Sequence, residues 1–208
     1  MMSVRKILLR VLVVIIPLSL GILFSQYMSQ GQGTLEGVSA TVLPEARTLP
    51  DFVLEDHHGN EFTNKSLKGQ WSFIFFGYTH CPDICPTTLI ALNQVDEILK
   101  KAPGVALPKT IFISVDPARD TREILAGYVP YFNTEFIGVR GSLQQLQALT
   151  SPLGIVFGKE GGDEQDDYEV FHSARILLID PKVSLKALFS SPHDVNKMAS
   201  DYIKIIDS

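Results

Sequence analysis

WSFIFFGYTHCPDICPTTLIALNQVDEILKK, residues 71–101, contains both cysteines of the chain and decides how its central part folds. Its first eight residues form a continuous apolar and aromatic run, which is typical of a central strand buried on both faces. After Cys85, apolar residues recur every three or four positions, and Pro86 suits the first turn of a helix. The cysteines are therefore predicted where a buried strand ends and a helix begins. In α/β proteins, that edge of the sheet holds ligands and catalytic groups.

Strands and helices alternate through the rest of the chain. The predicted strands include 109–116 and 135–141, and the predicted helices include 121–132, 142–154 and 194–206. Two apolar runs on either side of Asp180-Pro181-Lys182 predict a hairpin. This pattern predicts an α/β sandwich with a mixed central sheet, in which the terminal hairpin supplies antiparallel edge strands.

The first 29 residues differ from the rest of the chain. Arg5, Lys6 and Arg10 precede an uncharged apolar run over 11–24, and a bilayer span needs roughly 17–25 apolar residues. Arg10 can extend its charge to the membrane surface, which lengthens the run. We expect residues 1–29 to form an uncleaved signal-anchor, a single transmembrane helix, in preference to a cleaved signal peptide.

The positive charges of this segment place the rest of the chain on the periplasmic side of the inner (plasma) membrane. Residues 30–48 are polar and contain several glycines, so we expect a linker. This leaves 49–208 as the folded domain. The net charge of -5 argues against a nucleic-acid partner, because such proteins carry a basic surface.

The cysteine pair allows electron transfer, metal binding or a structural bridge. A thiol at a helix N-terminus is expected to have a lowered pKa. Thiol–disulfide oxidoreductases use C-x-x-C, whereas Cys81 and Cys85 are separated by three residues. Thiolates also bind soft metals such as copper(I), but two sulfurs are too few for a closed zinc site or an iron–sulfur cluster. In an oxidising compartment, a thiol pair becomes a disulfide unless it is kept reduced or holds a metal.

The five histidines are the candidates for a further ligand. His57 and His58 are expected to be exposed in a polar turn, and His193 to lie on the surface. His80 neighbours a cysteine, but adjacent residues of an extended loop point in opposite directions. His172 enters a predicted strand, and its position alone favours a histidine bonded to the backbone.

Three motifs give this sequence a closer resemblance. They are FFGYTHCPDICPTTL (75–89), SVDPARDT (114–121), and DYEVFHS (167–173) followed by LLIDP. Together they closely resemble the Sco/SenC family of copper chaperones. The resemblance implies a thioredoxin-like fold and a copper ion, as copper(I) or copper(II), bound by Cys81, Cys85 and His172. It also implies delivery of copper to the dinuclear copper site of cytochrome c oxidase, or reduction of that site's cysteines.

The resemblance also implies partners, and the chain differs from the family at one position. The partners are the copper-site subunit of the oxidase and other copper chaperones or thiol reductants, while residues 1–29 make the membrane a further partner. The family usually has Asp before its histidine, whereas this chain has Phe171.

The acidic loop 159–169 contains two adjacent glycines, and we expect it to carry His172 into and out of the site. Asp116 is expected to cap a turn or helix, with a role beside the metal or in docking as the alternative.

A thiol–disulfide oxidoreductase that uses Cys81 and Cys85 as its redox-active pair is the alternative function. The W-C-x-x-C core of thioredoxins is absent, and YEVFHSA (168–174) lacks the proline that such enzymes place opposite their cysteines. His172 is expected to occupy that region. A peroxidase needs T-x-x-C, whereas this chain has T-x-C, and two prolines at a strand-to-helix junction exceed what a structural disulfide needs.

Overall fold

The computed structural model describes residues 16–17, 21, 37–161 and 168–208. The expected signal-anchor at 1–29 therefore lies outside the described residues, apart from three positions. Among the residues that are described, no helix is both long and apolar enough to cross a membrane. The compact unit that contains the sheet spans Leu35–Ser208.

Ten strands occur in the described ranges, and eight of them form one mixed sheet. The eight are β1 Thr41–Thr48, β2 Val53–Asp56, β3 Glu61–Thr63, β4 Ser72–Gly77, β5 Lys109–Ser114, β6 Ile137–Arg140, β9 Ile176–Ile179 and β10 Ser184–Phe189, in the order β1-β10-β9-β4-β5-β6-β2-β3. Strands β4, β5 and β6 are parallel, and the remaining neighbours are antiparallel. The other two strands, β7 Phe157–Glu160 and β8 Glu169–His172, pair only with each other. The predicted mixed α/β sheet is confirmed. The prediction that the terminal hairpin lies at the edge is wrong, because β9 pairs with β4 and β1 covers β10.

The helices follow the predicted periodicity. They are α1 Asn64–Leu67, α2 Ile84–Leu99, α3 Arg122–Phe132, α4 Leu143–Thr150 and α5 Val195–Ile206. Ser142 caps α4, since its side chain accepts a hydrogen bond from Gln145 N. Pro130 lies within the last turn of α3, where the helix ends two residues later.

Strand β4 forms the centre of the core. All six of its residues are buried, which explains why residues 71–78 show no alternation of polar and apolar side chains. Phe73 packs against Phe189 of β10 and Tyr202 of α5, and Phe75 packs against Phe112 of β5. The core therefore holds the C-terminal end of β4 rigidly.

The parallel pairing of β4 with β5 brings two loops together. Gly77 and Ser114 are register partners at the carboxyl ends of these strands, and Val115 N donates a hydrogen bond to Gly77 O at 2.8 Å. The cysteine loop after β4 and the SVDPARDT segment after β5 consequently meet at one edge of the sheet.

The structure corrects the expected linker at 30–48. Residues 41–48 form β1, which pairs antiparallel with β10 from Thr41↔Leu188 to Thr48↔Ser184. Most β1 side chains are exposed, so the strand lacks the apolar alternation that sequence analysis relies on. Its backbone nevertheless covers the edge of β10, which would otherwise present unpaired donors and acceptors. The folded domain therefore begins before residue 49.

Candidate metal centre

The two cysteines lie on either side of the start of α2. Cys85 is the second residue of the helix and fully buried, whereas Cys81 lies in the preceding loop and is partly exposed. Both are free thiols. The backbone N–H of Cys85 points at the Cys81 sulfur, with 3.4 Å between N and Sγ. The turn of the helix thus folds the loop back so that the two sulfurs face the same space.

Gly77 makes room for the Cys85 sulfur at the end of β4. A Cβ atom at this position would lie 2.8 Å from Cys85 Sγ and 2.7 Å from the Phe112 ring. Both distances are shorter than packed atoms tolerate. A residue without a side chain is therefore required here for the helix to approach the sheet.

The structure brings His172 to the cysteines. It ends β8, and its Nε2 lies 3.3 Å from Cys85 Sγ. The ligand atoms of Cys81, Cys85 and His172 all lie within 4.8 Å of one another, the only such group of histidine, cysteine and acidic residues in the described part of the chain. The rings of Phe75 and Tyr78 pack against the imidazole in T-shaped arrangements, with centroid distances of 5.9 and 5.8 Å.

A contact with Ser173 orients the His172 ring. Its Nδ1 lies 3.3 Å from Ser173 O, and the tautomer protonated at Nδ1 donates this bond and leaves the Nε2 lone pair facing Cys85. Burial lowers the pKa of His172, which favours the neutral ring. Ligating histidines are commonly oriented in this way, through a bond from the second nitrogen.

Burial has the opposite effect on Cys85. It raises the pKa of the Cys85 thiol, and the nearby Cys81 sulfur adds to the rise. The expected lowering of the pKa is therefore wrong for Cys85, because desolvation of the thiolate is the largest effect on this buried group. A soft cation beside this sulfur would replace the proton, so metal binding at the site releases a proton.

The SVDPARDT segment supports both halves of the site, and sequence analysis noted only Asp116 within it. Asp116 is buried and accepts hydrogen bonds from Arg119 and from the hydroxyl of Tyr168, in front of β8. Asp120 accepts from Thr79 N at 3.0 Å and Thr79 Oγ1 at 2.6 Å, in the cysteine loop. Arg119 and Asp120 could have been predicted from the charged residues of the motif. No feature of the sequence around Tyr168 indicated that it contacts this segment.

The remaining histidines are not part of this group of three ligand atoms. The prediction is confirmed for His58, which is exposed, and wrong for His57, which is 6% exposed and accepts a hydrogen bond from Gly138 N at 2.8 Å. His80 is exposed and approaches Asp120 instead of the cysteines. His193 is half-buried, with Nε2 3.1 Å from Ala174 O.

Phe171, at the position of the expected Asp, packs within the hairpin. It is the register partner of Gly158 across β7 and β8. Its ring lies over that glycine, since a Cβ at position 158 would be 2.7 Å from Phe171 Cζ. Aromatic rings stabilise strands by covering a glycine opposite them. The acidic loop next to the hairpin lies largely outside the described residues, at 162–167.

A mixed sheet with a C-x-x-x-C pair at a strand-to-helix junction, faced by a histidine, defines a thioredoxin-like protein with a two-thiol, one-imidazole donor set. The SCO1/SenC family model matches residues 40–207, and the chain belongs to this family. Over 174 residues it is 34% identical to a putative copper-binding protein of Stutzerimonas stutzeri, with 84% of each chain covered.

Solved structures give the same answer. The copper-bound crystal structure of ScoI from Arabidopsis thaliana is 33% identical, with a TM-score of 0.72 over 76% of this chain and 98% of that one. Yeast Sco1 with copper bound is 30% identical, with a TM-score of 0.71 over 78% of this chain and 90% of that one. The thioredoxin-like fold is therefore confirmed, and the donor set of this chain suits copper.

Proposed function

We propose that this chain is a copper chaperone, which carries one copper ion on Cys81, Cys85 and His172 and passes it to the copper-site subunit of cytochrome c oxidase. The N-terminal segment anchors the chain in the inner membrane, with the folded domain on the periplasmic side. The oxidase partner and the anchor rest on the sequence resemblance and on the apolar run at 11–24.

The convergence of three soft or intermediate donors within 4.8 Å carries this proposal. Two thiolates and one neutral imidazole suit copper(I). The buried Cys85 and the partly exposed Cys81 leave one side of the site open to solvent. A partner's thiol can reach the cargo from that side, which suits transfer better than permanent storage.

Copper(I) titration of the reduced full-length chain tests the binding step. We expect one copper(I) per chain, measured by competition with bathocuproine disulfonate. Cys81→Ala, Cys85→Ala and His172→Ala should each lower the affinity, and the cysteine variants should lower it by more than the about 10- to 100-fold typical of residues outside the ligand set. The matched control is His58→Ala, an exposed histidine far from the donors. Full affinity in His172→Ala would exclude the three-ligand site.

Copper transfer tests the partner. The chain loaded with copper(I) is mixed with the metal-free, reduced copper-site domain of an oxidase, the two proteins are separated, and the copper bound to each is measured. Transfer should be lost in Cys81→Ala. If copper stays on this chain while an unrelated copper source loads the domain, the delivery role is excluded.

A thiol–disulfide reductase is the second candidate, and the unequal exposure of the two sulfurs favours it. The accessible Cys81 sulfur attacks one sulfur of a partner disulfide and releases a first thiolate, and Cys85 then attacks Cys81 Sγ and releases the second. Two electrons and two protons pass to the partner, leaving a Cys81–Cys85 disulfide that a thiol reductant must reduce. Fast exchange with disulfides of the oxidase domain, together with weak copper retention, would favour this role over delivery.

A further inference from the structure

His172 is held by a hairpin outside the main sheet. In the described parts of the chain, no strand pairing joins β7 or β8 to the eight-stranded sheet. After His172, Ser173 N donates to Val156 O at 3.1 Å, and the chain soon enters β9. This bond continues the β7–β8 ladder; at the opposite end of β8, Tyr168 connects the hairpin to the segment after β5.

Tyr168 makes three directional contacts with the segment that follows β5. Its hydroxyl donates to Asp116 Oδ1 at 2.6 Å, and its carbonyl oxygen accepts from Arg119 Nη1 at 3.0 Å. The Arg119 guanidinium also stacks on the Tyr168 ring, 3.8 Å from the centroid. Burial and the bond to Asp116 raise the pKa of Tyr168 to about 12, so the hydroxyl remains a donor.

Two cations contact the Tyr168 ring. Lys159 Nζ lies 3.9 Å from the ring centroid, nearly the same distance as Arg119. Both cations lie within the distance of a cation–π interaction. Lys159 belongs to β7, and thus the contact ties Tyr168 to both strands of the hairpin.

The ion pair beneath Tyr168 is buried. Arg119 Nε bonds Asp116 Oδ2 at 2.5 Å, and the exposed fractions of the two side chains are 12% and 0%. A buried ion pair is commonly no more stabilising than apolar residues of the same volume. Hydrogen bonds, unlike apolar contacts, fix direction and register. This arrangement therefore suits the positioning of β8 more than general stability.

The same segment fixes the cysteine loop. Asp120 accepts two bonds from Thr79, and Asp120 N donates to Asp116 O at 2.9 Å. Residues 116–120 therefore contact both halves of the metal centre: Asp120 holds the loop before Cys81, while Asp116 and Arg119 hold the strand that ends in His172.

We propose that residues 116–120 form a brace that sets the position of His172 relative to the cysteines, with Arg119 as the principal positioning residue and Tyr168 as its contact on β8. The proposal rests on the proposed copper site and adds residues that act on copper through the third ligand. The brace contains no ligand itself; it acts by holding β8 in register.

Arg119→Gln in the full-length chain tests the brace. We expect the copper(I) dissociation constant, from competition with bathocuproine disulfonate, to rise about 10- to 100-fold. Arg122→Gln is the matched control, because Arg122 is a nearby exposed arginine that contacts only Glu55 and Glu123 among acidic residues described. It should leave the affinity unchanged.

A double-mutant cycle with His172→Ala distinguishes positioning from general destabilisation. If Arg119 acts through His172, Arg119→Gln should cause no further loss of copper(I) affinity in the His172→Ala background. X-ray absorption of the loaded Arg119→Gln protein should show reduced nitrogen scattering with the sulfur contribution retained. Additive losses in the cycle would overturn the proposal.

Tyr168→Leu covers the case in which Arg119→Gln does not fold, since loss of Arg119 leaves Asp116 buried without its cation. Tyr168→Leu keeps that ion pair and should weaken copper(I) binding similarly. Tyr168→Phe keeps the ring in contact with Arg119 and Lys159 and should restore part of the affinity. Unchanged affinity in Tyr168→Leu would overturn the brace.

A readout without copper separates the brace from the proposed function. In the reduced, metal-free protein, nuclear Overhauser contacts between the His172 ring and Cys85 Hβ should be present in the wild type and lost in Tyr168→Leu. If the wild type binds no copper(I), the proposed function fails while these contacts still test the brace. If it binds copper(I) and Tyr168→Leu keeps both affinity and contacts, only the brace fails.

Discussion

At the scale of single residues, Gly77 sets how closely α2 approaches the sheet. The Cys85 sulfur and the Phe112 ring both occupy the space where a side chain at this position would lie. Because the surrounding residues are fully buried, they have little room to move. The position of a ligand atom is thus decided by a residue that carries no chemistry.

Gly77→Ala should therefore weaken both the fold and the site. We expect a loss of about 1–3 kcal/mol in the free energy of unfolding, as in other overpacked cores, and a lower copper(I) affinity. Thermal or denaturant unfolding and chelator competition measure the two effects. Gly127→Ala is the control: it lies in α3 with open space around its Cβ position, so it should be neutral or slightly stabilising. Equal behaviour of the two variants would contradict this account.

His57 gives the protein a pH-dependent stability. Burial, followed by the charge of His58, lowers its pKa below the ordinary 6.5. Its Nδ1 accepts the Gly138 N–H, and protonation would break that bond. The unfolded chain therefore takes up a proton more readily than the folded chain, and the free energy of unfolding decreases as the pH falls below about 6.5.

His57→Asn should reduce this dependence, because the asparagine carbonyl can accept the same N–H without titrating. The expected result is a smaller loss of unfolding free energy between about pH 7.5 and about pH 5.5 than in the wild type. Denaturant titrations of the metal-free protein at both pH values measure it. His58→Asn, at an exposed position, should have a smaller effect. The same pH dependence in wild type and His57→Asn would refute the assignment.

At the scale of elements, the β7–β8 hairpin is the part of the fold on which the metal centre depends most. It carries His172 but shares no ladder with the main sheet among the described strands. The position of His172 therefore depends on the side chains that connect the hairpin to the rest of the domain. Phe171 contributes in another way, since its contact with Gly158 holds the two strands of the hairpin together.

Phe171→Asp, which introduces the residue that the family resemblance implies, should loosen the hairpin. Loss of the ring exposes Gly158 and removes a cross-strand contact of about 0.2–1 kcal/mol. Hydrogen exchange at Ser173 N, which is bonded to Val156 O, should become faster. Glu169→Gln is the control, as an exposed change on the same strand. Unchanged exchange in Phe171→Asp would show that its ring does not support the hairpin.

At the scale of the whole molecule, the polar segment before residue 49 belongs to the folded unit. The buried carboxylate of Asp201, in α5, accepts bonds from Ser39 N at 2.8 Å, Ser39 Oγ at 2.5 Å and Ala40 N at 3.0 Å. These bonds join the start of β1 to the C-terminal helix. The family match, which begins at residue 40, agrees with this boundary.

A fragment spanning 49–208 should consequently be less stable than one spanning 35–208. It loses the pairing of β1 with β10 and the three hydrogen bonds that Asp201 accepts from Ser39 and Ala40, and a hydrogen bond to a charged group contributes about 1.5–3 kcal/mol. Thermal unfolding of both fragments measures the difference. Asp201→Ala should destabilise the longer fragment and be neutral or stabilising in the shorter one. Equal melting temperatures would show that the folded domain begins at residue 49, as the sequence predicted.

Several parts of the fold and site were predictable because their signals are local. The buried run at 71–78 and the periodicity after Cys85 predicted β4, α2 and the cysteines between them. Buried side chains recur at the period of the helix or strand that carries them. A short stretch of sequence is therefore enough to predict such an element. Strand β1 escaped prediction because its exposed side chains show no such repeat.

The sequence by itself determined where the two thiols lie in the fold. Its three motifs also indicated the family to which the chain belongs. The same motifs implied that His172 joins the two cysteines. Only the tertiary structure decided that His172 Nε2 lies 3.3 Å from Cys85 Sγ, that burial raises the pKa of that thiol, and that Tyr168 contacts Arg119. The physical reason is that spacing along the chain sets local conformation. Solvent exclusion and contacts between distant segments depend on how the elements pack.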